Sequence, residues 1–292
     1  FPKQFLPLIG EDSLFQKTLC RVRDKARFHP PIVITNCEYK FLVKEQAEAC
    51  GIELGYLVLE PVARNTAPAI TASALIAKEF GLDDLYVMPS DHLLTEDDHY
   101  ASALDQAEIV ASSGALVAFG IEPSYPATGY GYIESFENGF CEAPVIARFI
   151  EKPDFQIAQS LIEQDNIYWN AGMFMFSASA FLTECKELCP EIFIQVEQAV
   201  KNGARHELEI TLEQASFERA PNISVDYAIF ENTSKAMVIP SHFHWSDVGS
   251  WDSVWKESGS DTEGNVAHGP VTLYKTKNSL VLSDGIQVSV NG

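Results

Sequence analysis

The chain of 292 residues has the composition of a globular protein, with 46% hydrophobic and 21% charged residues. Its formal net charge of −21 argues against non-specific binding to nucleic acid or to an anionic membrane, because both are polyanions. No apolar run is long enough to cross a bilayer, and the first residues lack the pattern of a signal peptide. Six dispersed cysteines without a CxxC pair favour reduced thiols in a cytoplasmic protein: Cys20, Cys37, Cys50, Cys141, Cys185 and Cys189.

Short apolar strands alternate with helical patterns through the first 120 residues. The predicted elements are a helix at 13–26, a strand at 31–36, a helix at 41–50, a strand at 56–60, a helix at 65–80, a strand at 85–88, a helix at 100–111 and a strand at 115–119. This alternation is typical of βαβ units and a mostly parallel sheet.

After Gly120 the pattern changes to short strands separated by proline and glycine, which predicts an insertion over the open end of the sheet. Further predicted elements are a strand at 145–149 and helices at 155–163, 178–188 and 191–200. From Gly264 onward the pattern predicts only strands. We therefore predict a mixed α/β fold with helices flanking the sheet over residues 1–260, followed at 261–292 by the start of a small C-terminal β segment.

Two isolated acids each follow an apolar strand. Asp91 comes after Leu85–Met88 and Pro89, and Asp247 precedes a glycine turn. Ligands of open α/β sheets bind outside the carboxyl ends of the strands, and Mg²⁺ prefers one or two carboxylates plus phosphate oxygens. The pair therefore predicts a magnesium site, whereas a helix cap or a turn is the alternative interpretation of Asp91.

The loop between a strand and a helix at Glu60–Pro68 carries a candidate base-binding set. The carboxylate of Glu60 can accept hydrogen bonds from ring N–H and amino groups, and Asn65 or Thr66 can cap the helix. The free N–H groups at that helix start favour an anion or the edge of a base. An ordinary capped loop is the alternative.

Four more segments contain polar residues in settings that favour a ligand. Glycines flank a tyrosine at Thr128–Ile133, an acid and a base are adjacent at Glu151–Lys152, and Asn170 interrupts an aromatic strand. Asp226 can cap a helix or contact a sugar or a metal. Each pattern alone also fits a solvated turn or strand end.

Taken together, eight segments of the chain resemble bacterial mannose-1-phosphate guanylyltransferases over nearly its whole length. In order they are Pro2–Leu6, Glu60–Ala69, Pro89–His92, Gly129–Ile133, Glu151–Pro153, Trp169–Phe174, Ser224–Tyr227 and Trp245–Trp251. The resemblance implies a Rossmann-like nucleotide-diphospho-sugar transferase fold. It also implies transfer of GMP from GTP to mannose 1-phosphate, which gives GDP-mannose for polysaccharide biosynthesis and releases pyrophosphate.

The resemblance also implies a role for each matching residue. Asp91 and Asp247 would hold Mg²⁺, Lys3 would meet the triphosphate, and Lys152 would meet the sugar phosphate. The nucleotide-binding residues would be Glu60, Arg64, Asn65, Thr66 and Ser90, and the sugar-binding residues Gly131, Tyr132, Glu151, Asn170, Gly172 and Asp226. The same resemblance implies a cytoplasmic homodimer with no nucleic-acid or membrane partner.

Relatives of this kind have an apolar strand and a Gly-rich loop before the Pro-Lys pair, and this sequence begins at Phe1. We expect this sequence to be a fragment of a longer chain that contains the strand and loop, and a protein starting at Phe1 to be unstable or inactive. The alternatives are a transferase that uses UTP or dTTP and a catalytically silent sugar-nucleotide-binding regulator. A nicotinamide-dependent dehydrogenase is excluded because no GxGxxG follows a strand.

Overall fold

The computed structural model describes residues 1–136 and 143–292, so Cys141 lies outside the described residues. The described helices are α1 (Leu14–Cys20), α2 (Lys40–Ala49), α3 (Thr66–Glu79), α4 (Asp98–Ser112), α5 (Phe155–Leu161), α6 (Ala178–Leu188), α7 (Pro190–Lys201), α8 (Gln214–Phe217) and α9 (Trp251–Glu257). Short 3₁₀ turns at Lys3–Phe5 and Cys37–Tyr39 and a π-helical turn at Asp226–Phe230 complete the helical segments. Among the described residues, no helix has the length and apolarity needed to span a membrane.

The strands follow the chain in this order: β1 (Ile32–Asn36), β2 (Tyr56–Glu60), β3 (Asp84–Val87), β4 (Leu93–Leu94), β5 (Leu116–Ile121), β6 (Tyr132–Ser135), β7 (Ile146–Ile150), β8 (Ile167–Ser177), β9 (Ala204–His206), β10 (Glu209–Thr211), β11 (Ala236–Ser241), β12 (Trp245–Ser246), β13 (Val266–His268), β14 (Val271–Tyr274), β15 (Leu280–Leu282) and β16 (Val288–Asn291). The mixed α/β class is confirmed, and most predicted elements lie within a few residues of their predicted bounds. The helix predicted at 13–26 is an exception, because α1 ends at Cys20. Asp24 Oδ1 accepts a hydrogen bond from the Ala26 N–H at 2.9 Å, and a local bond of this kind competes with the helix.

The described residues form two compact units. The smaller unit comprises Phe1–Thr18, Ser90–Leu93 and Ser246–Gly292, and the larger comprises Leu19–Pro89 and Leu94–Trp245. The division at residue 260 stays a prediction.

The larger unit contains a four-stranded sheet in the order β1-β2-β10-β9 and a six-stranded sheet in the order β11-β5-β8-β6-β7, with β3 also paired to β8. The alternation of strands and helices correctly predicts parallel neighbours for β1 and β2, and β11 also pairs parallel to β5. The long strand β8, however, runs antiparallel to β3, β5 and β6. Two strands of the region after Gly120, β6 and β7, extend this sheet at its edge.

Two apolar clusters cover the two faces of the six-stranded sheet. Successive residues of β5 alternate between the clusters, with Leu116 and Ala118 in one and Val117 and Phe119 in the other. All four are fully buried, as expected for a central strand with helices on both faces. The smaller unit has its own apolar cluster of Leu14, Val248 and Val254.

One ion pair inside the larger unit involves a buried carboxylate. The carboxylate of Glu184, which is only 5% exposed, accepts hydrogen bonds from Lys235 Nζ at 2.7 Å and Thr233 Oγ1 at 2.5 Å. Burial opposes ionisation, but these two donors outweigh it and lower the pKa of Glu184 below its ordinary value. Because the folded-state pKa is lowered, the ionised carboxylate stabilises the fold above the unfolded-state pKa, and this contribution is lost as the pH falls.

Glu184→Gln is therefore expected to lower the free energy of unfolding at pH 7 by about 1–3 kcal/mol. The loss should shrink as the pH falls below the unfolded-state pKa, about 4.3. Urea denaturation at several pH values measures it, with Glu187→Gln on the exposed face of the same helix as the control. An equal loss at every pH would contradict a charge-dependent contribution.

Candidate functional site

The smaller unit brings three of the predicted site residues together. Lys3 Nζ lies 3.2 Å from Asp91 Oδ2 and donates a hydrogen bond of 2.6 Å to the backbone carbonyl of Asp247. Asp91 and Ser90 follow Pro89 in a turn just after β3, and Asp247 follows β12. The side chains of Lys3 and Asp91 are 34% and 32% exposed, so both remain open to a ligand.

The backbone around Asp247 fixes its carboxylate. Asp247 Oδ1 accepts a hydrogen bond from the Gly249 N–H at 3.0 Å. A Cβ atom at Gly249 would lie 2.5 Å from Asp247 Oδ2, so only glycine leaves room for the carboxylate in this position.

The oxygen atoms of this cluster fit a hard divalent cation. Asp91 and Asp247 each carry a carboxylate, and the ammonium group of Lys3 lies beside one carboxylate oxygen of Asp91 and the backbone carbonyl of Asp247. Among the described residues, no group of three or more His, Cys, Asp or Glu side chains is arranged to hold a metal ion. Magnesium is commonly bound by one or two carboxylates, with phosphate oxygens and water as the remaining ligands.

In the larger unit, Asn170 connects several predicted sugar-binding residues. Its Nδ2 donates to Asp226 Oδ1 at 2.7 Å, its Oδ1 accepts from the Gly172 N–H at 3.0 Å, and its backbone N–H donates to the Gly131 carbonyl at 2.8 Å. Gly172 has φ +68°, where a β-bulge interrupts the pairing of β5 with β8. Burial raises the pKa of Asp226 above its ordinary value, and the hydrogen bond from Asn170 opposes that rise.

Glu151 and Lys152 lie at the end of β7, where Lys152 Nζ is 3.0 Å from Glu151 Oε1. The hydrogen bond to Glu151 and the negative charge of that side chain raise the pKa of Lys152 above its ordinary value. A Cβ atom at Gly131 would lie 2.7 Å from Glu151 Oε2. The missing side chain at Gly131 therefore makes room for the Glu151 carboxylate.

Gly131→Ala is expected to displace that carboxylate while the fold remains intact, because Gly131 does not have a positive φ. We expect KM for the sugar phosphate to rise about tenfold, since small displacements of positioning groups are costly. Steady-state kinetics and thermal unfolding of both proteins test this. Gly129→Ala is the matched control because a Cβ atom there would meet nothing within 4 Å. Equal KM values for the two variants would contradict the prediction.

Glu60 is the one acid of the predicted nucleotide-binding set, and burial perturbs it. It ends β2 beside Asn36, and its Oε1 atom is buried without a hydrogen-bond partner among residues 1–136 and 143–292. Burial raises the pKa of Glu60 to about 7. A buried carboxyl oxygen without a partner is costly, which points to a donor supplied by a ligand.

The other members of that set in the larger unit make contacts within the protein. Asn65 Oδ1 accepts from the Thr66 N–H at 2.8 Å as the cap of α3, and Thr66 Oγ1 accepts from the Val225 N–H at 2.9 Å. Arg64 Nε donates to the Glu218 carbonyl at 3.0 Å. These contacts fix the start of α3, and contact of the three residues with a nucleotide stays a prediction.

Two positions change the interpretation of the sequence. The side chain of Tyr132 is fully buried and its hydroxyl donates to the Ala127 carbonyl at 2.8 Å, which leaves only its backbone for the predicted sugar contact.

Glu231 was not predicted as a site residue. Burial, followed by the charges of Asp226 and Glu151, raises its pKa. The π-helical turn brings Glu231 to this acidic group, at a spacing that an α-helical pattern does not indicate.

The acids that follow β3 and β12 and the carboxyl group that ends β2 lie in a mixed α/β fold, the class in which ligands commonly bind outside the carboxyl ends of the strands. The chain belongs to the nucleotidyl transferase family, whose sequence model matches residues 1–264. It is 48% identical over 292 residues to the mannose-1-phosphate guanylyltransferase of Sinorhizobium fredii. That match covers 99% of this chain and 57% of the relative, so the chain spans less than two thirds of the relative's length.

The solved structures similar to this chain include two that share 28% and 32% identity with it. One is described as mannose-1-phosphate geranyltransferase from Thermus thermophilus, with a TM-score of 0.84 and 28% identity, covering 100% of this chain and 82% of the other. The second is described as mannose-6-phosphate isomerase from Helicobacter pylori, with a TM-score of 0.74 and 32% identity, covering 84% of this chain and 94% of the other.

Proposed function

We propose that the protein transfers GMP from GTP to mannose 1-phosphate, giving GDP-mannose and pyrophosphate. The observation that carries the proposal is the convergence of Lys3, Asp91 and Asp247 within one unit. A transfer between phosphates needs positioning and neutralisation of charge more than covalent chemistry, and this cluster supplies both. The name of the Sinorhizobium fredii relative supports the choice of guanosine and mannose.

Within the smaller unit, Asp91 and Asp247 would hold Mg²⁺, and Ser90 lies in the same turn as Asp91. The bound metal supplies neutralisation of the negative charge on the reacting phosphates. Lys3 would exchange its contacts with Asp91 and the Asp247 carbonyl for the triphosphate of GTP. Its ammonium group then favours attack by the sugar phosphate oxygen on the α-phosphorus and departure of pyrophosphate.

Within the larger unit, Glu60 would accept hydrogen bonds from the N1–H and amino group of guanine, and Arg64, Asn65 and Thr66 would line the nucleotide site. Lys152 would contact the sugar phosphate. The hydroxyl groups of the sugar would meet the network that links Asn170 to Asp226, together with Glu151 and the backbone at Gly131, Tyr132 and Gly172. Buried carboxylates are suited to hydroxyl donors because they only accept hydrogen bonds when ionised.

The substrates place the reaction in the cytoplasm, where GTP and sugar phosphates are available, and the product is a precursor for polysaccharide biosynthesis. We also propose that the protein is a homodimer that needs neither nucleic acid nor membrane. Its net charge of −21 supports the absence of polyanionic partners.

The deciding experiment measures pyrophosphate release by the full-length protein with Mg²⁺, crossing GTP, UTP, dTTP and ATP with mannose 1-phosphate and glucose 1-phosphate. Activity confined to GTP with mannose 1-phosphate would support the proposal. Turnover with UTP or dTTP would overturn the choice of substrates, and tight nucleotide binding without turnover would favour a silent regulator. A further arm measures isomerisation of mannose 6-phosphate, because the Helicobacter pylori structure is described by that reaction.

A further inference from the structure

Val248 has an unusual backbone conformation beside the proposed magnesium ligand Asp247. Its φ is +48°, in the left-handed region that β-branched residues rarely adopt. The other non-glycine residues with positive φ in the described parts of the chain are Asn65, Lys152, Glu207, Lys275 and Asn278, none of which is β-branched. Strain of this kind persists only where the surroundings enforce it.

The surroundings of Val248 enforce that conformation in two ways. Its side chain is 2% exposed and packs in one cluster with Leu14 and Val254. Its backbone N–H donates to Ser246 Oγ at 3.2 Å, and Ser246 is itself buried. The apolar anchor and the hydrogen bond together offset the strain.

The left-handed residue reverses the chain between Asp247 and Gly249. The reversal allows the Gly249 N–H to reach Asp247 Oδ1 at 3.0 Å, while the Asp247 carbonyl accepts from Lys3 Nζ at 2.6 Å. The Val248 carbonyl also lies 3.5 Å from Lys3 Nζ. The conformation of Val248 therefore fixes both the side-chain carboxylate and the backbone carbonyl of Asp247.

We propose that Val248 is a positioning residue, whose strained, buried backbone fixes the carboxylate of Asp247 for a divalent cation. The inference rests on the proposed metal-binding role of Asp247. It assigns to Val248 a function separate from packing, because the backbone angle, rather than the side-chain volume, orients the carboxylate.

Substitution of Val248 by glycine and by alanine separates the packing of its side chain from the effect of its backbone angle. Both remove the apolar anchor, but glycine adopts positive φ freely whereas alanine resists it. At Val254, in the middle of α9 and in the same cluster, glycine should lower the free energy of unfolding more than alanine, because it is the poorer helix former. Val254→Ala and Val254→Gly are therefore matched controls.

The experiment measures Mn²⁺ binding to the full-length protein by electron paramagnetic resonance at saturating GTP, together with the Mg²⁺ concentration for half-maximal turnover. We expect Val248→Ala to weaken cation binding about tenfold and Val248→Gly clearly less, since a displaced ligand is costly. The Val254 variants should stay within about twofold of the parent protein in cation binding, because a smaller side chain on α9 leaves the backbone angle at Val248 unchanged.

Equal or weaker binding by Val248→Gly relative to Val248→Ala would overturn the inference and leave a packing role. If Val248→Gly fails to fold, unchanged cation affinity in Val248→Ala would overturn the inference. If Val248→Ala fails to fold, a loss of affinity of about tenfold in Val248→Gly would overturn it. Asp247→Asn is measured in parallel, and unchanged Mn²⁺ binding in that variant would reject the metal-binding role itself. The measurement of Mn²⁺ binding does not depend on turnover. A negative result in the pyrophosphate-release assay with GTP and mannose 1-phosphate would therefore not count against this inference.

Discussion

Replacing either acid of the smaller unit, as Asp91→Asn or Asp247→Asn, is expected to lower kcat for pyrophosphate release by about 10²–10³-fold. Asparagine keeps the size of the side chain but removes the negative charge that the proposed cation needs and, at Asp91, the charge that pairs with Lys3. The free energy of unfolding should change little, because the Asp91 side chain is 32% exposed and its pair with Lys3 is partly solvated. The effect is therefore specific to turnover.

The control for this prediction is Asp252→Asn. Asp252 is an exposed acid of the same unit, and its carboxylate lies 2.6 Å from Lys256 Nζ one helical turn away. Parent and variants are compared at saturating substrates over a range of Mg²⁺ concentrations, with thermal unfolding as the check on folding. Turnover within about threefold of the parent in both Asp91→Asn and Asp247→Asn would contradict the assignment, because lost metal ligands cost far more.

Glu60→Gln is expected to weaken GTP binding about 10–100-fold, with a much smaller effect on ATP or UTP. A carboxylate accepts two hydrogen bonds from the N1–H and amino group of guanine, whereas the amide of glutamine presents one acceptor and one donor. A site built around buried polar groups loses selectivity strongly when one of them is mismatched. Fluorescent GTP binding with competing nucleotides measures the effect, and Glu48→Gln on exposed α2 is the control. Equal losses for GTP, ATP and UTP would contradict base recognition.

The pH dependence gives a second, independent test of Glu60. Its pKa is raised to about 7 by burial, so the ionised form that guanine needs becomes populated as the pH rises from 6 to 8. GTP binding by the parent protein should strengthen over that interval, and binding by Glu60→Gln should not show this rise.

Protein stability should change in the opposite direction. Because the folded-state pKa is raised, Glu60 stabilises the fold fully only below its unfolded-state pKa. That contribution is lost as the pH rises through 7, and the full loss is about 3–4 kcal/mol. Urea denaturation between pH 4.5 and 8 should show this loss in the parent protein and not in Glu60→Gln.

Local sequence patterns predicted the helices and strands well where the hydrophobic periodicity and the capping residues indicated the same element. Helix α3 begins at Thr66 after Asn65, one of the two predicted caps, and α6 occupies its predicted bounds Ala178–Leu188. The pairing of β8 could not be predicted in this way. Its direction relative to β3 and β5 depends on where the chain returns to the sheet, and the period of a strand does not carry that information.

The candidate site was predictable as a set of residue types and not as an arrangement. Motif order identified Asn170 and Asp226, but their contact depends on a β-bulge and a π-helical turn far apart in sequence. The burial of Tyr132 and the added acid Glu231 follow from the same tertiary packing. Roles in binding GTP and mannose 1-phosphate stay predictions for every one of these residues.

The sequence by itself determined the α/β class, the positions of most strands and helices and the family, because periodicity, caps and motif order are local properties. Only the tertiary structure decided which side chains contact one another and how their pKa values are shifted. Lys3 contacts Asp91 and Asp247 across some ninety and more than two hundred residues of chain, and Glu60 acquires a raised pKa through burial. Distances and desolvation depend on packing between segments remote in sequence, so no local pattern can specify them.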